Sequence, residues 1–333
     1  MALDANRRAL LEQSRAEALL RNSFGLDPAS LELSAAPFGV CARPSDSSGN
    51  RAWIVSMSDD LAALGGVLVW LDRERPAEVD LVFDHHAGIH ARRVALLAPE
   101  CRVWQVEGDS VTLAVADAIS PPLPRPLDAA HLEAPLVELG LEVVCEDGIL
   151  RGEIAGLEVA RILHGADGPV LEAGVGRFDR EAGVLLHAGR SPVEAVADAA
   201  AQVRPHRTSG AVSHAVNRLA RERWLRHLVL HDSAAFDLDL PSLVEPIPPR
   251  ANLLEVVPAA LLGTDGDRSV LLVCSVGVDL GLVPAIADLL AVHRPDLVRI
   301  VVPERDRLPH LERLVSRLPL PADIRTIATP WVD

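Results

Sequence analysis

The chain has no lysine and no tyrosine, so all 32 of its basic Lys-plus-Arg positions are arginine. A phosphate-binding loop ending in lysine, a Schiff-base cofactor enzyme of the pyridoxal phosphate kind, a protein kinase and a Ser-Lys hydrolase each need that amine as charge or nucleophile. All four are excluded in their usual form. A high-GC genome, rich in Arg, Ala, Leu, Val and Pro codons, accounts for the skew, and the exclusion holds whatever its cause. Cysteine is sparse too: Cys41, Cys101, Cys145 and Cys274 lack short pairings, which indicates neither a zinc site nor a disulfide frame. No apolar run approaches the roughly 18 to 20 residues of a membrane helix, so no membrane partner is expected. The N-terminal stretch carries acids inside an amphipathic pattern and no continuous apolar core, which argues against a secretory signal and for a cytoplasmic location. Gly277 stands without GxGxxG spacing and no serine sits in a GxSxG elbow, so neither a dinucleotide loop nor a triad is claimed.

What is present is globular: 49% of 333 residues are apolar, enough for two or three cored domains. The stretch Val270 to Asp306 reads as one strand-helix-strand unit, and residues 53 to 84 repeat it without a gap. Asp60-Leu61 falls on Asp279-Leu280, Arg75-Pro76 on Arg294-Pro295, and Leu81-Val82-Phe83 on Ile300-Val301-Val302. Nearly continuous apolar strands alternating with helices imply parallel pairing covered by helices. The fold class expected is α/β, two related βαβαβ parallel-sheet units flanking an inserted α+β middle domain. Two proline-rich runs set the boundaries, because proline removes backbone donors and disfavours helix before it. The expected organisation is an N-terminal helix and first unit over 1–118, a linker over 119–127, the middle domain over 128–240, a linker over 241–250 and the second unit over 251–333. Within the middle domain the pattern predicts a helix near 128–139, strands at 141–146, 149–154, 157–163 and 170–175, a short strand at 183–187, a helix from Ser191-Pro192 to about Val203 and a helix over 210–230.

A formal charge of −15 argues against broad, non-specific binding of duplex nucleic acid. Local charge runs the other way from Arg204 to His227, with six arginines against one acid, Glu222. On the predicted helix His214, Asn217, Arg218 and Arg221 recur at i, i+3, i+4 and i+7 and share a face, which suits a phosphate or nucleic-acid backbone and equally suits salt bridges to the acidic remainder of the chain. At the strand ends, Ser56, Ser58 and Asp60, with Ser275 and Asp279, read first as helix caps.

Three resemblances follow from particular residues. Asp84-His85-His86, closing the strand Val79 to Phe83, resembles the metal-binding motif of the DHH phosphoesterases, although no Gly-Gly-Gly-His segment follows. The middle domain's order of helix, strands and helix resembles the restriction-endonuclease-like nuclease core, in which strand acids hold Mg²⁺ and activate water. That resemblance implies Glu158 and Glu172 as ligands of Mg²⁺ or Mn²⁺; the loop GVGRFDRE just past them reads either as a tight turn bridged by internal ion pairs or as a site loop that adds Asp179 to the candidate catalytic residues. The family's lysine is replaced by Gly174. Finally, GLEVARIL, LEAGVGRFDREA, NRLARERWLR and VLLVCSVGVDLGLVPAIADLL resemble a conserved family of high-GC actinobacteria with no assigned function. Two functions are thus expected as alternatives: a metal-dependent phosphodiester hydrolase or degenerate relative acting on a phosphate-bearing substrate, or a non-catalytic binding or assembly protein that docks an anionic partner on the basic face.

Overall fold

The computed structural model describes residues 5–46, 50–165, 168–176, 190–250 and 255–332. The chain forms two compact units, Met1–Ile119 with Asp279–Val292 and Leu308–Pro319, and Ser120–Val278 with His293–Arg307 and Leu320–Asp333.

In the first unit, α1 (Ala5–Phe24) precedes β1 (Leu31–Ala36), β2 (Gly39–Pro44) and β3 (Arg51–Ser56). Then α2 (Ala63–Glu74), β4 (Glu78–Phe83), α3 (Ala87–Leu97), β5 (Cys101–Glu107) and β6 (Ser110–Leu113) complete a six-stranded sheet in sequential order. β3, β4 and β5 are parallel, as the apolar runs predict, but β1, β2 and β6 add on antiparallel. The unit is therefore mixed rather than purely parallel. Short connections allow only antiparallel neighbours, whereas a crossover helix is needed to return a strand in parallel. Ala16, Leu19 and Leu20 of α1 bury against Trp53, Val55 and Val82. On α2, Leu64, Val67, Leu68 and Leu71 are buried at helical spacing.

In the second unit, α4 (Ala130–Glu138) leads to an antiparallel sheet of β7 (Glu142–Glu146), β8 (Ile149–Ile154), β9 (Leu157–Gly165) and β10 (Gly168–Ala173), ordered β10-β9-β8-β7. Asp147-Gly148 and Ala155-Gly156 close its first two hairpins with positive φ at both residues, the geometry that matches strand twist. One face is apolar, with Leu150, Ala160, Ile162 and Leu171 packed on α4 and on α5 (Pro192–Val203). Ser191 and Glu194 cap α5 in a reciprocal capping box. α6 (Arg221–His231) is followed by β11 (Asp239–Val244), β12 (Ala259–Asp265) and β13 (Arg268–Cys274). After α7 (Leu282–His293), β14 (Leu297–Pro303), α8 (Pro309–Val315) and β15 (Ala322–Ile327), a third sheet is complete, with β13, β14 and β15 parallel. Trp224, Leu225 and Val229 of α6 pack on Leu261, Val270 and Leu272 of that sheet.

The α/β class thus holds. The similarity read from Asp60, Arg75 and the apolar strands coincides with element order: α1-β1-β2-β3-α2-β4-α3-β5 is matched by α6-β11-β12-β13-α7-β14-α8-β15. Asp60 accepts from Ala62 N and Asp279 from Gly281 N at the same place in each. Arg75 and Arg294 both adopt the left-handed conformation after their helices, φ 47° and 46°, just before a proline that cannot continue a helix. Buried charge differs in sign at matched positions: Asp80 is held by Arg51, Arg102 and the Trp104 indole, whereas Arg299 is held by Asp323, Asp265 and the carbonyl of Phe236.

One expected element fails. In place of a helix over 210–230 there is a 3-10 turn at Ala215–Arg218, an extended Leu219, a left-handed Ala220 and only then α6. The shared face of His214, Asn217, Arg218 and Arg221 does not exist as a helical face. Short polar side chains win here: His214 Nδ1 accepts from Val216 N and Asn217 Nδ2 donates to the Val212 carbonyl, giving the backbone partners other than a helix. The predicted strand at 183–187 lies outside the described residues.

Candidate functional site

The side of the antiparallel sheet facing away from α4 and α5 is ionic: strand alternation brings Glu142 and Glu146 of β7 and Arg151 and Glu153 of β8 to one side, and a register shift in β9 at Val159 lets Glu158 and Arg161, three residues apart, share it. A bulge between Gly152 and Glu153 sets Glu153 directly opposite Glu158. Neither acid is exposed. Glu158 is bonded to Arg151, and Glu172 on β10 is bonded to Arg161 at 2.9 Å. The two predicted metal ligands therefore share a sheet face but sit on different strands, each with its own guanidinium. Asp179 lies outside the described residues. α6 closes this ionic face: Arg223 reaches both Glu146 and Glu153, and Arg226 approaches Glu153 at 3.5 Å. Burial pushes the Glu153 carboxyl up to about 7 against the pull of Arg226 and Arg250.

Near the other end of α6 lie Arg207 and Arg221, each stacked on a tryptophan. Arg207 is 5% exposed, its plane lies 4.4 Å over Trp224, and Nη2 donates to the Leu219 carbonyl. Among the described residues its Nε and Nη1 are buried without a hydrogen-bond partner, as are Trp331 Nε1 and Asn217 Oδ1. Burial pulls the Arg207 guanidinium down to about 9, with Arg221 adding repulsion against the pull of Glu153 and Glu222. Arg221 lies 4.7 Å over Trp331 and donates through Nε to the Asn217 carbonyl. It is lowered by burial, then by Arg305 and Arg218. Arg305 follows β14, at the carboxyl end of the parallel strands where α/β sheets take ligands. His214 is exposed and stacks on His206 at 3.9 Å. Of the residues predicted from the helical face, Asn217 and Arg221 thus meet and Arg218 lies near Arg221, while Arg207 is marked in the sequence only as part of the basic run and Arg305 and Trp331 not at all.

Comparison with protein-family models, with curated proteins and with solved structures finds no match. Function is accordingly read from geometry alone.

Among the described residues one group has the spacing of metal ligands, Glu142 on β7 with His227 and His231 on α6. Asp84, His85 and His86 are not brought into such a group: Asp84 takes Arg15 at 3.4 Å, and His86 forms the left-handed N-terminal boundary of α3. No helix of the described residues is long and apolar enough to cross a membrane.

Proposed function

We propose that the protein is an anion-binding protein whose second unit takes a phosphate-bearing ligand, such as a nucleic-acid phosphate, at Arg207, Arg221 and Trp331. The observation that carries this reading is Arg207, a buried cation with two bare N–H nitrogens and, among the described residues, no carboxylate bonded to it. An unpaired buried charge costs several kcal/mol, and folds tolerate such costs mainly where a ligand repays them. The bare groups are chiefly donors, the guanidinium of Arg207 and the indole N–H of Trp331, which suits an acceptor-only phosphate oxygen. The hydrolytic reading has less support, because Glu158 and Glu172 already serve arginines that a metal ion would have to displace.

The test is titration with inorganic phosphate and with a 5′-phosphorylated single-stranded oligonucleotide, read by tryptophan fluorescence and thermal shift. Wild type should show salt-sensitive binding and a raised Tm. Arg207→Met should bind at least about tenfold more weakly, the loss of a charge-assisted bond. Without ligand it should be as stable as wild type or more so, since it removes an unpaired charge. Equal responses in both proteins, or none in either, would overturn the reading.

A further inference from the structure

We propose that Glu142, His227 and His231 form a three-ligand site for a borderline divalent transition metal, Zn²⁺ foremost, distinct from the arginine cluster. Successive turns of α6 put His227 and His231 on one side, with ring centroids 4.2 Å apart. β7 is an edge strand, and its first residue, Glu142, projects from the ionic face toward them. Both imidazoles converge on one oxygen: His227 Nδ1 is in close contact with Glu142 Oε1, and His231 Nε2 lies 3.8 Å from the same atom. All three ligand atoms fall within 4.8 Å of one another. Zinc bonds of about 2.0–2.2 Å place tetrahedral ligands roughly 3.3 Å apart, so side-chain rotation of about 1 Å closes the site.

Two further features favour a metal over a plain His–Glu ion pair. His231 Nδ1 lies 2.9 Å from the His227 carbonyl, which can only accept; Nδ1 therefore carries the hydrogen, and Nε2 presents its lone pair toward the site. The His231 side chain is 59% exposed, leaving a fourth position open to water. Two nitrogens and one carboxylate match the ligand set of open zinc centres, whereas Mg²⁺ and Ca²⁺ prefer oxygen ligands alone. Arg221 stands about 15 Å along α6 from His231, by helix rise, so the two sites are separable.

Calorimetry on the full chain after chelator treatment, with ZnCl₂, CoCl₂ and MgCl₂, tests the proposal. Wild type should bind one Zn²⁺ per chain, gain thermal stability, show four-coordinate visible absorption with Co²⁺ and ignore Mg²⁺. His231→Ala and Glu142→Gln should each weaken Zn²⁺ binding about tenfold or more. Both changes lie at a partly exposed rim, and unchanged circular dichroism with retained phosphate binding shows that the unit is intact. Identical Zn²⁺ isotherms for wild type and His231→Ala, or no Zn²⁺ binding at micromolar concentrations, would overturn it.

Discussion

At the scale of single residues, His90 shows how far environment outruns identity. It lies inside α3, fully buried, with its ring stacked 4.0 Å from Phe83 and neither nitrogen bonded among the described residues. Burial drives its pKa down to about 3, with Arg93 and His86 adding repulsion. The folded-state value lies below the unfolded one, so the stability held by neutral His90 is intact above pH 6.5 and drains away as pH falls toward 3. The loss by then is on the order of 4 kcal/mol. His90→Leu, of similar volume, should lose markedly less stability between pH 7 and pH 4 in urea titrations. A difference between the two proteins that does not change with pH would remove the assignment. Nothing in GIHARR marks that histidine as buried, because burial depends on Phe83 of a neighbouring strand.

At the scale of elements, local chemistry was legible wherever it was self-contained. Ser191-Pro192 with Glu194 reads as a capped helix start and folds as one, and Asp147-Gly148 reads as a hairpin turn and is one. The helix over 210–230 was misread because apolar and arginine spacing outweighed Gly210, Ser213 and the turn-forming Asn217. Gly156 adds a constraint that the sequence conceals. Its φ of +77° suits glycine, and a Cβ there would lie 2.4 Å from the Arg223 carbonyl carbon and 2.5 Å from its oxygen. The β8–β9 hairpin and α6 are thus pressed backbone to backbone. Gly156→Ala should cost at least about 2 kcal/mol, combining left-handed strain with overpacking. Chemical denaturation checks this, and a cost below that of an ordinary surface change would mean the hairpin yields.

At the scale of the whole molecule, chain connectivity links the two units. β13, β14 and β15 belong to one unit, while α7 and α8, which join them, belong chiefly to the other. In the first unit Asp288 of α7, fully buried, pairs with Arg92 and Arg93 of α3, and Arg317 pairs with Asp72 of α2. Arg223→Met leaves Glu146 and Glu153 buried without a shared partner and should destabilise by about 3–5 kcal/mol. Chemical denaturation checks this, and a cost below about 1 kcal/mol would show that Arg151 and Arg226 suffice for the two acids.

The sequence by itself determined the α/β class, most strands, the turns and the matched pairs of Asp60 with Asp279 and Arg75 with Arg294, because periodicity, capping and left-handed turns are set within a few residues. The absence of lysine also argues against the usual forms of four lysine-dependent chemistries. Tertiary structure alone decided which charges meet: that Glu158 answers Arg151, that Glu142 stands beside His227 and His231, and that Arg207 is buried beside Trp224 near Arg221. These encounters join residues from 7 to 89 positions apart. Charge pairing depends on distance and burial in space, and neither is a property of any short stretch of chain.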